Sequence, residues 1–109
     1  MKSDISVETV LKKLINLVIK ADAEILPLLT TNSINAKPIE QAASLIGSAQ
    51  SIIKNLIQNP EKETLNLLLN NIQVLLNQSL RKKSITDLKA AKILLNEVER
   101  QIQITSYIT

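Results

Sequence analysis

The chain reads as an all-α protein, an antiparallel up-down-up-down four-helix bundle with coiled-coil-like aliphatic packing. Three observations carry that expectation. Apolar residues recur at alternating three- and four-residue steps in four separate stretches. No stretch alternates apolar and polar residues between glycine turns, as strands do. The core material is almost wholly aliphatic, with 18 Leu and 16 Ile against a single aromatic, Tyr107. A length of 109 residues suits one domain, with helices expected at about 4–26, 36–58, 60–82 and 85–106.

The first segment places Val7, Leu11, Leu14, Val18, Ala21, Ile25 and Leu28 on one helix face. Pro27 lacks an N–H and its ring clashes with the carbonyl four residues back, so a kink or stop is expected there. Thr30-Thr31-Asn32-Ser33-Ile34-Asn35 then reads as a loop. In the second segment Asn35 is placed to cap, Pro38 falls in the tolerant first turn, and Ile39, Ala42, Ile46, Ala49, Ile53 and Leu56 form the stripe. Asn59-Pro60 ends this helix and starts the next, with Glu61 and Glu63 favoured by the dipole. The third stripe is Leu65, Leu68, Leu69, Ile72, Leu75, Leu76 and Leu80. Arg81-Lys82-Lys83 closes that helix with cations, and Ser84-Ile85-Thr86-Asp87 has the capping-box pattern. Leu88, Ala91, Leu95, Val98, Ile102 and Thr105 complete the last stripe. Spacing this close to 3.5 residues implies helices crossing at about +20°. Ala43, Ser44, Gly47, Ser48 and Ser51 give the second helix a small-residue flank, with Gly47 read as relieving crowding against a neighbour.

Some aliphatic residues lie off these stripes. Leu67 and Val74 point away from the third core face, and Ile93, Ile104 and Ile108 lie off the fourth. Ile15, Ile19 and Leu26 form a second line on the first helix, while Leu45 and Ile52 widen the second. Wide stripes touching two neighbours would absorb some of them. A surplus beyond that marks an interaction surface, and a homodimer is its simplest form. Leu67, Val74, Ile93, Ile104 and Ile108 are therefore the candidate interface.

The proposed topology gathers Lys37, Arg81, Lys82 and Lys83 at one end, with Lys20 and Lys89 below, and Asp4, Glu8, Glu61 and Glu63 at the other, diluted by Lys2 and Lys62. Helix macrodipoles account for that polarity by themselves. The alternative is a cationic tip for nucleic acid or an anionic membrane surface. Nucleic-acid binding lacks aromatic platforms and has only two Arg, so it is the weaker expectation.

Chemistry is poorly supplied. With no Cys and no His, thiolate and imidazole nucleophiles, haem ligation and the usual zinc sites are excluded. Glu97 and Glu99 are two apart and face different directions, and Glu99 reads as a solvated edge residue beside Leu95 and Ile102. No catalytic, metal or cofactor residue is assigned, and no small-molecule substrate is expected. No apolar run approaches the ~18 residues of a membrane span, and the Met1-Lys2-Ser3-Asp4 start lacks a signal pattern, so a soluble cytoplasmic protein is expected.

A Leu/Asn-rich third helix, a cationic turn at Arg81-Lys82-Lys83 and a fourth helix together resemble the small immunity proteins of bacteriocin-producing bacteria. That resemblance implies an intracellular binding protein. The chain departs from the family's pattern in lacking aromatics on the last two helices. A helical hairpin broken at Asn59-Pro60 is similar to secretion-needle subunits, which lack the additional N-terminal helix. The reading that follows is a non-catalytic protein-protein interaction or scaffold module that self-associates.

Overall fold

Four helices account for almost all of the chain in the computed structural model, which describes the backbone of residues 3–54 and 61–108 and the side chains of 9–54 and 63–103. They are α1 (Ser3–Thr31), α2 (Ala36–Lys54), α3 (Glu61–Lys82) and α4 (Ile85–Ile108). Each packs on two neighbours, in the pairs α1·α2, α2·α3, α3·α4 and α1·α4, and among the described residues neither diagonal pair packs. The connections force antiparallel order. The step from Lys54 to Glu61 can reach at most about 25 Å, short of the ~30 Å that a parallel return along α3 would need. The result is a rod of 48 × 20 × 20 Å, the all-α four-helix bundle that the spacing predicts.

The core stripes fall where the register places them. Leu11, Leu14, Val18, Ala21, Ile25 and Leu28 are buried on α1, and Ile39, Ala42, Ile46, Ala49 and Ile53 on α2. Leu88, Ala91, Leu95, Val98 and Ile102 are buried on α4. Val7, Leu56 and Thr105 lie outside the described side chains. On α3 the buried line is Leu65, Leu69, Ile72, Leu76 and Ser79, whereas Leu68, Leu75 and Leu80 are half-buried. Ser79 therefore holds a core place that had been given to leucine. Its hydroxyl donates to the Leu76 carbonyl at 2.7 Å, so no polar group is stranded. Each fully buried Leu or Ile contributes about 1.5–3 kcal/mol, which makes these four stripes the source of stability.

Two expected boundaries are corrected. α1 continues past Pro27 to Thr31, so Thr30 and Thr31 belong to the helix and only 32–35 connects it to α2. Pro27 is exposed, which leaves the Ala23 carbonyl on the wet face, and burial of Leu28 draws the helix onward. The Thr30 hydroxyl donates to Leu26 O at 3.0 Å and that of Thr31 to Pro27 O at 2.9 Å, satisfying carbonyls of the final turn. α4 runs to Ile108 and takes in Tyr107. The turn at Asn59-Pro60 lies outside the described residues.

The ends are closed by local chemistry. Asn32 (φ 56°) and Lys83 (φ 51°) take left-handed geometry just after α1 and α3. Ser33 N donates to Leu28 O and Asn32 N to Leu29 O, a Schellman closure, and Ser84 N donates to Ser79 O in the same six-to-one pattern. Asn35 Oδ1 accepts from Lys37 N at 3.4 Å, and Ser84 Oγ accepts from Asp87 N at 3.2 Å.

The rows beside each core stripe define the helix contacts. Lys92 Nζ donates to Asp22 Oδ2 at 2.9 Å, so the row Ile15, Asp22, Leu29 of α1 faces the row Ile85, Lys92, Glu99 of α4. Gln73 Nε2 donates to Ala43 O at 2.8 Å, so Ala43 and Gln50 of α2 face Asn66, Gln73 and Leu80 of α3. The remaining rows are left for the other two contacts. Val10, Leu17, Leu45 and Ile52 line α1·α2, and Leu68, Leu75 and Leu94 line α3·α4, all half-buried against the core. Two aliphatic hairpins are thus joined through two contacts that each carry a polar layer.

Candidate functional site

Register separates surplus aliphatics from those the bundle absorbs. Ile15, Leu45 and Ile52 are half-buried between helices and belong to the core. Ile19, Leu26, Leu67, Val74 and Ile93 remain exposed. Of the candidate interface residues, Leu67 (61% exposed) and Val74 (47%) lie two helical turns apart on the outward face of α3. Ile93 (66%) is on the outward face of α4, which diverges from that of α3, so these three do not form one patch. The side chains of Ile104 and Ile108 lie outside the described residues.

Leu67 and Val74 sit on an unusual surface. From Thr64 through Leu80, α3 has no charged residue, and α2 has none from Gln41 through Ile53. The exposed polar positions between the charged ends are Gln41, Ser44, Ser48 and Ser51 on α2 and Thr64, Asn66, Asn70, Asn71 and Asn77 on α3. A shallow groove runs between the helices, lined by Gly47, Gln50, Ser51, Lys54, Asn66 and Asn70. Beneath its rim, the Gln73 amide donates to Ala43 O at 2.8 Å and reaches Gln50 Oε1 at 3.5 Å.

Gly47 forms part of that rim. A Cβ built there meets only Gln73 Nε2, at 3.6 Å, an ordinary van der Waals contact. Alanine therefore fits within the monomer, and relief of crowding does not explain this glycine, contrary to the expectation from sequence.

At the end holding the 32–35 loop and the α3–α4 turn, Lys37, Arg81, Lys82 and Lys83 are all exposed. None is ion-paired with a described residue. The antiparallel order brings these four together, and the local reason differs for each. Lys37 follows the Asn35 cap, Arg81 and Lys82 end α3, and Lys83 occupies the left-handed junction. Of the residues read as the acidic end, Glu63 is exposed; the side chains of Asp4, Glu8 and Glu61 lie outside the described residues.

The α1·α4 contact carries the most perturbed chemistry. Asp22 pairs with Lys92 at 2.9 Å, and Lys92 Nζ also donates to Asn96 Oδ1 at 3.0 Å. Among the described residues, Asp22 Oδ1 and Glu99 Oε2 are buried without a donor. Burial pushes the Glu99 carboxyl above its usual range, the Asp22 charge adds to this, and Lys92 opposes it. Glu99 is therefore half-buried and not the solvated edge residue expected from sequence. On the outer side, Glu97 is held below its ordinary value by hydrogen bonds from Arg100 (2.7 Å) and Gln101 (3.1 Å).

Asp22, Lys92 and Gln73 were not singled out from sequence, although the seven-residue repeat placing Asp22 beside Ile15 and Leu29, and Lys92 beside Glu99, was there to use. Among the described residues, no group of three or more acidic side chains is placed to hold a metal, and no helix is long and apolar enough to cross a membrane. No protein-family model matches the chain, and no curated protein or solved structure matches it significantly.

Proposed function

We propose that the protein is a non-catalytic interaction module that works by self-association. The observation behind this reading is the exposure of Leu67 and Val74 on a helix face without charge. Depletion of charge around partly apolar surface is the compositional mark of an interface core, and solvated helices elsewhere in this bundle carry Lys12, Lys13, Lys20, Lys89 and Arg100. A twofold dimer is the simplest assembly. Sedimentation velocity at micromolar concentration tests it: a dimer is expected, and a strictly monomeric species overturns it.

A second reading rests on the four cations at one end, none paired with a described residue, which suit an anionic partner, nucleic acid or an acidic membrane surface. Its signature is salt dependence. Binding to a polyanion is expected to weaken steeply as salt rises and to be lost when Arg81, Lys82 and Lys83 become Gln. Affinity that survives both treatments rejects this reading.

A further inference from the structure

We infer that the self-associating surface is the α2·α3 side of the bundle, meeting a second copy of the same chain in antiparallel orientation about a twofold axis beside Gly47. This inference rests on the self-association reading and adds the face, the orientation and the central residue. The face is supported by the arrangement of charge around an uncharged field, and the orientation by Gly47 at the midpoint of that field. Glu40 and Arg81 stand at the end of this face nearer the α3–α4 turn, and Lys54 and Glu63 stand at the far end, all exposed. The charges that flank the uncharged stretch therefore change sign along each helix, Glu40 to Lys54 on α2 and Glu63 to Arg81 on α3, in opposite senses.

Such a pattern complements itself. Turning a copy about an axis that lies in the contact plane and crosses the helices sets Glu40 over Lys54 and Glu63 over Arg81, with each pairing occurring twice. Each of these four side chains meets an opposite charge, and the area between contains no charge to strand. The outward positions of α1 and α4 carry the exposed cations Lys12, Lys13, Lys20 and Lys89, which interrupt any comparable uncharged field there.

The midpoint of the pattern coincides with features the monomer leaves unexplained. Gly47 lies midway between Glu40 and Lys54, and Ile72 midway between Glu63 and Arg81, at matching heights on the two helices. A helix-interior glycine costs about 0.5–1 kcal/mol relative to alanine, and the monomer has room for the missing Cβ. At the axis, that missing Cβ lets the two α2 helices approach closely. Leu67 of one copy falls near Val74 of the other, covering the two exposed aliphatics of α3.

Sedimentation equilibrium on the full chain at low salt, with circular dichroism to check folding, provides the test. Gly47→Leu is expected to abolish the dimer while the helical content stays unchanged. Glu63→Arg and Arg81→Glu, both on the surface, are each expected to weaken the dimer about tenfold, which equals about 1.4 kcal/mol. The double variant should return to within about threefold of the original, because the swapped charges meet again. A dimer indifferent to Gly47→Leu and to both single reversals overturns the inference and leaves self-association standing. Loss in the single variants without recovery in the double overturns the antiparallel orientation. A wild-type monomer overturns both the inference and the reading beneath it.

Discussion

Lys83 holds a left-handed backbone, φ 51°, at the position after a helix where glycine is usual. A residue with a Cβ pays roughly 1–2 kcal/mol for that conformation. Lys83→Gly is therefore expected to raise stability by about 1 kcal/mol in urea titration, whereas Lys83→Val should lower it by at least as much. Glu99 gives a pH signature. Its carboxyl titrates above the ordinary 4.5 in the folded chain because burial and Asp22 disfavour its charge, so the folded state binds the proton more tightly than the unfolded one. Its contribution is fully present below about 4.5 and is lost as pH rises through the folded value. Glu99→Gln should flatten the fall in melting temperature over that window and raise it near neutrality; an unchanged slope excludes Glu99 as its source.

Helix boundaries show how local signals and packing compete. Pro27 predicts a kink or stop because its cost is intrinsic, yet the helix does not stop: Ile25 and Leu28 are buried on either side of it and the ring faces solvent. Packing outweighs propensity there, so Pro27→Ala is expected to stabilise α1, by up to about 3 kcal/mol, as a higher melting temperature. The capping pattern at Ser84 forms only in one direction. Its hydroxyl accepts from Asp87 N, but its own N–H is spent on Ser79 O, closing the previous helix. Ser84→Ala should cost about 1 kcal/mol through the lost cap. The core stripes were legible because a 3.5-residue repeat fixes one face without knowledge of any partner. Glu99, Asp22 and Gln73 were less legible because a flanking position is wet or buried according to which helix lies beside it, and that is a property of the assembled bundle.

In the molecule as a whole, two aliphatic hairpins meet through a polar layer on each side. Asp22–Lys92 and the Gln73 amide lie roughly 10–14 Å from the same end, on opposite contacts. Replacing both members of the ion pair with leucine is expected to be neutral or stabilising, while Asp22→Leu alone leaves the Lys92 ammonium half-buried without its carboxylate and should destabilise by a few kcal/mol. Paired calorimetry of the single and double variants checks this, and equal losses in both would contradict it. The polar layers also resist sliding: a hairpin displaced by one turn would strand Asp22 and Gln73 against aliphatic neighbours. Finally, because Ser84 finishes α3 and begins α4, only Lys83 and Ser84 lie between the two helices. Closing so short a span costs little chain entropy, so this pair should nucleate folding, with substitutions at Leu75 and Leu94 slowing the refolding rate and substitutions at Leu17 and Leu45 chiefly hastening unfolding.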